Sequence, residues 1–106
     1  MVGIREIRAV SRRIAREFHP RRIILFGSYA RGTPTEDSDV DLLIIMPFKG
    51  RSTDVSVEMR LKVRPPFPVD LLVRTPQAVR RRIGMGDCFM REIVESGKVL
   101  YEAHHR

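Results

Sequence analysis

One cysteine, three lysines and no apolar run approaching the ~20 residues of a membrane span set the first limits on this 106-residue chain. The lone Cys88 excludes an internal disulfide and a cysteine-rich zinc site. Set among Phe89, Met90 and Ile93, it is expected to be a small buried hydrophobe. His104 and His105 follow the last apolar residues, and no third ligand stands at metal-binding spacing beside them. The opening Met-Val-Gly-Ile-Arg-Glu lacks the apolar region and small-residue cleavage site of a secretory signal, so a cytoplasmic protein is expected. Repeats with a period of 20 to 50 residues and low-complexity tracts are absent. Gly27-Ser28 is not followed by the Gly-Lys-Ser/Thr of a Walker loop. Gly84-Met85-Gly86 has neither the third glycine nor the preceding strand of a dinucleotide fingerprint, and reads as a hinge between helices. The length allows one domain, residues 1–106, with one core.

What is abundant is arginine. A net charge of +7 and a pI near 10.7 favour an anionic partner: nucleic acid, nucleotide or an acidic protein surface. Ile4, Ile7, Val10, Ile14 and Phe18 recur at helical spacing, which predicts a helix over 4–18 stopped by His19-Pro20. Arg5, Arg8, Arg12 and Arg16 form a second stripe beside the apolar one, either a solvated face or a surface for an acidic protein or RNA.

Strands are expected at 22–26, 40–46 and 69–73. The first two are too continuously apolar for a sheet exposed on one side. A helix over about 54–62 would be capped by Ser52 or Thr53 and stopped by Pro65-Pro66. Thr75 as cap with Pro76 at the first helical position opens another. Asp87 opens a last helix closed by Gly97, and 99–101 can form a short final strand.

The densest signal runs from Gly27 to Asp41. A Gly-Ser turn follows the first strand, and Asp39 and Asp41 stand at the start of the second. Alternate strand residues share a face, so these two carboxylates can share one divalent cation. A short helix starting at Ser28 would offer free backbone N–H groups to an anion. One half of the motif suits a polyphosphate and the other a hard metal ion. The alternative is structural: Arg22, Arg31 or Arg74 neutralising acids at the mouths of apolar strands.

Gly27-Ser28, ten residues and Asp39-Val40-Asp41 resemble the polymerase beta-like nucleotidyltransferase superfamily, whose pattern is Gly-Ser, ten residues, Asp-x-Asp. Ala30, Arg31, Gly32, Ser38 and Leu42 extend the resemblance to its minimal members, as does the ending Arg91 to Glu102. The resemblance implies a third carboxylate on a later strand, which Asp70 supplies. It implies an α/β domain with a small central mixed sheet, strands one to three adjacent and helices packed largely on one face. It assigns Asp39, Asp41 and Asp70 to catalysis and to two Mg²⁺ ions, with ATP as substrate. Gly27 and Ser28 would bind the phosphates; Arg31 would join them or pin the 29–38 loop through Glu36 or Asp37.

Three functions stay open. The first is an antitoxin transferring AMP to a tyrosine of a HEPN-domain ribonuclease toxin, in a hetero-oligomer without a membrane. The second is a transferase acting on RNA or a small molecule, and the third an antitoxin that binds by occlusion alone. Nucleic acid would enter only indirectly in the first.

Overall fold

The computed structural model describes residues 1–104, so the expectation for His105 lies outside the described residues; His104 is exposed. The first helix, α1 (Ile4–Phe18), buries Ile7, Val10, Ser11 and Ile14 along one face. The Glu6 carboxylate accepts from the Gly3 N–H at its start. His19 ends it in the left-handed region at φ 49°, and Pro20 prevents continuation.

Four strands follow: β1 (Arg22–Phe26), β2 (Val40–Ile45), β3 (Val69–Arg74) and β4 (Lys98–Glu102). They form one mixed sheet in the order β3-β2-β1-β4. β1 runs antiparallel to β2 and β4, whereas β2 and β3 are parallel. The parallel pair needs a crossover, supplied by α3 (Ser52–Val63). The four-residue α2 (Ser28–Arg31) links β1 towards β2, and α4 (Pro76–Gly84) and α5 (Cys88–Ser96) lie between β3 and β4.

Both faces of the sheet are covered, which accounts for the unbroken apolar runs in β1 and β2. Ile23, Leu25, Val40, Leu42, Ile44, Val69, Leu71 and Val73 point to α1 and α3, the longer helices, and form the larger core. The bulk of the helix is on this face, as expected. Ile24, Leu43 and Ile45 point the other way, under Val79 of α4 and Met90 and Ile93 of α5. This second cover is smaller, and it reaches only part of the sheet.

Thr75 caps α4 by accepting from the Ala78 N–H at 3.1 Å, with Pro76 at the first helical position. Asp87 caps α5 by accepting from the Met90 N–H at 3.0 Å, and the glycine-flanked turn at 84–86 separates the two helices. Two expectations fail here. α3 begins at Ser52 with Arg51 at the cap position, and neither Ser52 nor Thr53 caps it; its first turn makes do with backbone bonds to Arg51 O. Cys88 is exposed, because Met90 and Ile93 take the inward positions of α5.

Candidate active site

The sheet places three side chains in one row. In the parallel register Asp41 stands beside Asp70, and in the antiparallel register it stands beside Phe26. All three follow the alternation that sends Ile24 and Leu43 to the α4–α5 face, so they project on that face at one end of the sheet. Asp39, one residue before β2, shares the phase of Asp41 and is exposed. Asp70 is exposed and Asp41 half-buried.

The crowding of acids shows in the proton affinity of Asp41. Its carboxyl is pushed above its ordinary value of 3.8, first by burial, then by the charges of Asp70 and Asp39 and by a hydrogen bond shared with Asp70. Only Arg31 pulls in the other direction. Of the three arginines that a structural role could use, only Arg31 acts on Asp41; the other two are engaged elsewhere. Arg22 Nε lies 3.4 Å from Glu102, and Arg74 donates to Ser52 Oγ and to the Val73 carbonyl. No ion pair joins Arg31 to Glu36 or Asp37 among the described residues.

Gly27 makes the close approach to Asp41 possible. Its φ of 77° favours glycine, and any Cβ there would collide with the Asp41 carboxylate. The chain then turns into α2, where the Ala30 and Arg31 N–H groups donate to the Gly27 carbonyl and those of Ser28 and Tyr29, ahead of the first helical bond, are the ones left to face an anion. The half-buried Tyr29 hydroxyl accepts from the Val2 N–H at 3.1 Å, tying α2 to the start of α1. The glycine-serine turn and the Asp41 carboxylate thus meet at one sheet end through the β1–β2 pairing.

A cleft of about 290 Å³ opens beside them, with Gly27, Arg31 and Asp41 on one side and Phe89, Glu92 and Ser96 of α5 on the other. Phe89 packs edge-on against Phe26, ring centroids 5.8 Å apart at 81°, and remains 57% exposed. The sequence pattern did not single out Phe26, Phe89 or Glu92. Phe26 directly precedes the Gly-Ser turn, but the position of α5 over it is set by tertiary packing. A larger cavity of about 500 Å³ lies at the opposite end of the same face, among Arg21, Arg22, Arg80 and His104; among the described residues its one carboxylate, Glu102, faces Arg22.

Among the described residues, no three acidic, histidine or cysteine side chains converge as a ready-made metal cage. The site offers the Asp41 and Asp70 carboxylates, with Asp39 close enough for its charge to be felt at Asp41. That donor set fits Mg²⁺, which takes one or two carboxylates and completes its shell with water and phosphate, and does not fit a calcium cage.

The sequence model for the nucleotidyltransferase domain matches residues 7–101. The chain belongs to this family. A relative from Methanocaldococcus jannaschii, "Putative protein adenylyltransferase MJ0604", is 35% identical over 82 residues, which is 76% of this chain and 78% of the relative. Among solved structures, a "putative nucleotidyltransferase from Sulfolobus solfataricus" superposes with a TM-score of 0.57 at 23% identity, over 92% of this chain and 78% of that one. A chain of the toxin-antitoxin MntA-HpeT mutant gives 0.53 at 16%, over 97% and 76%. A chain of a toxin-antitoxin with AMP-PNP gives 0.51 at 18%, over 95% and 76%. At these identities the structures attest the fold. In this nucleotidyltransferase domain the glycine-serine turn and the Asp41–Asp70 pair lie within the matched residues 7–101.

Proposed function

We propose that this nucleotidyltransferase moves AMP from Mg²⁺-bound ATP to a hydroxyl of a partner protein, a tyrosine of a HEPN-type ribonuclease toxin that it thereby silences. The observation that carries the reading is the Asp70–Asp41 pair in register across two strands, facing a Gly-Ser turn that only glycine can make. The adenylyltransferase relative and the toxin-antitoxin neighbours support the choice of acceptor class.

Asp41 and Asp70, joined by Asp39, would hold Mg²⁺, which when bound neutralises phosphate charge at the reacting phosphorus. Ser28 and the first N–H groups of α2 orient the outer phosphates, and Arg31 adds a cation at the same rim. The incoming hydroxyl oxygen bonds to the alpha-phosphorus as the bond to the bridging oxygen breaks. Its proton passes to the Asp70 carboxylate, and pyrophosphate leaves with the bond electrons. Exposure of Asp70 leaves it reachable from the acceptor side, whereas half-buried Asp41 is fixed beneath Gly27.

Calorimetry of ATP binding with Mg²⁺ and with excess EDTA tests the site. Binding should require Mg²⁺, because clustered carboxylates repel a bare polyphosphate. Equal affinity in the two conditions would overturn the proposal.

A further inference from the structure

The row that places Asp70 beside Asp41 continues to Phe26 and, through the edge-on ring contact, to Phe89. Neighbouring strands lie about 4.8 Å apart, so the aromatic end of the row begins one strand beyond the carboxylates. The cleft joins the two ends: Asp41, Gly27 and Arg31 at one wall, Phe89 and Glu92 at the other. A phosphate chain at Gly27-Ser28 would therefore carry whatever is attached to it towards α5. Phe89 is 57% exposed although its edge contact with Phe26 holds it in place, which leaves a fixed apolar surface available for stacking. Glu92, one helical turn along α5, lines the same cleft and as a carboxylate can only accept hydrogen bonds.

We propose that α5 reads the nucleobase: Phe89 stacks on it, and Glu92 accepts from an exocyclic amino group, so that an amino-bearing base such as adenine is preferred to an oxo base in its place. This rests on the nucleotidyl-transfer reading and specifies its donor. Adenine presents an N6 amino donor where hypoxanthine presents an oxygen, which would face the Glu92 carboxylate with two acceptors opposed.

The test measures Mg²⁺-dependent binding of ATP, ITP and inorganic triphosphate to the full chain by calorimetry. Wild type should bind ATP more tightly than inorganic triphosphate by about 5- to 150-fold, the range of one base–aromatic stack. Phe89→Ala should remove most of that margin without changing triphosphate affinity, and Phe89→Trp should keep it. ATP should exceed ITP, and Glu92→Gln should narrow the gap, because an amide can donate to an oxo group as readily as accept from an amino group.

Unchanged ATP affinity in Phe89→Ala, or an equal fall for ATP and triphosphate, overturns the inference. So does a loss of transfer to a partner with nucleotide affinity intact, which would assign the cleft to the acceptor. If wild type binds triphosphate but shows no base preference, this inference alone fails. If it binds neither triphosphate nor ATP with Mg²⁺, the nucleotidyl-transfer reading fails with it.

Discussion

Asp41 is held where its charge is disfavoured, and that has a measurable sign. Its folded-state proton affinity exceeds that of the unfolded chain, so its contribution to stability is greatest below its ordinary value of 3.8 and is lost as pH rises through the raised folded value. Asp41→Asn should therefore melt at higher temperature than wild type at neutral pH without Mg²⁺. The advantage should vanish as pH falls towards 4, as scanning calorimetry at several pH values would show. A variant no more stable at pH 7 than wild type would contradict the crowding described here. Gly27→Ala should lose at least about 1 kcal/mol of stability from the positive φ alone, together with nucleotide binding as its methyl displaces the Asp41 carboxylate. Asp70→Asn separates binding from transfer. Mg²⁺-ATP affinity should largely persist on Asp39 and Asp41, while transfer falls by about 10²- to 10⁴-fold, the usual contribution of a general base. Full transfer activity in this variant would remove Asp70 from its role.

At the scale of elements, the C-terminal end of α5 shows how closely the second face is built. Gly97, at its C-terminus, has an ordinary φ of −69°, yet a Cβ there would strike the Ile93 carbonyl and the Ile24 side chain. Gly97→Ala should cost about 1–3 kcal/mol through overpacking against β1, read from a denaturant midpoint. On α1, Arg5, Arg12 and Arg16 are exposed, Arg8 half-exposed, and no ion pair to them forms among the described residues. Replacing Arg8, Arg12 and Arg16 with glutamine should leave the fold intact and slow association with an acidic partner, with a weaker dependence on salt. Unchanged kinetics in stopped flow would leave the stripe as a solvated face.

The elements also show what a sequence can disclose. α1, β1 and the caps at Thr75 and Asp87 follow from local rules, since periodicity, proline and a side-chain acceptor act within a few residues. The start of α3 is not legible in this way, because backbone bonds rather than a side-chain cap begin it. Nor is the exposure of Cys88, because its neighbours on the same helix claim the core.

For the whole molecule, a chain with a net charge of +7 concentrates three of its carboxylates at one sheet end. The Gly-Ser and Asp-x-Asp spacing was visible in the sequence because it is local. The pairing of Asp41 with Asp70, and the aromatic continuation to Phe89, depend on strand register and helix docking over long separations. Ligand linkage extends the account to global stability: Mg²⁺ and ATP together should raise the melting temperature more than either alone, by the equivalent of about 2.7 kcal/mol at a hundredfold excess over Kd. The most direct measurement follows the label. The chain is incubated with Mg²⁺, the protein encoded by the adjacent reading frame, and ATP labelled at either the alpha- or the gamma-phosphate. Alpha label on a partner tyrosine, release of pyrophosphate, and loss of both in Asp41→Asn are expected. Gamma label on the partner, or neutralisation of the partner with no label transferred, would contradict the nucleotidyl-transfer reading.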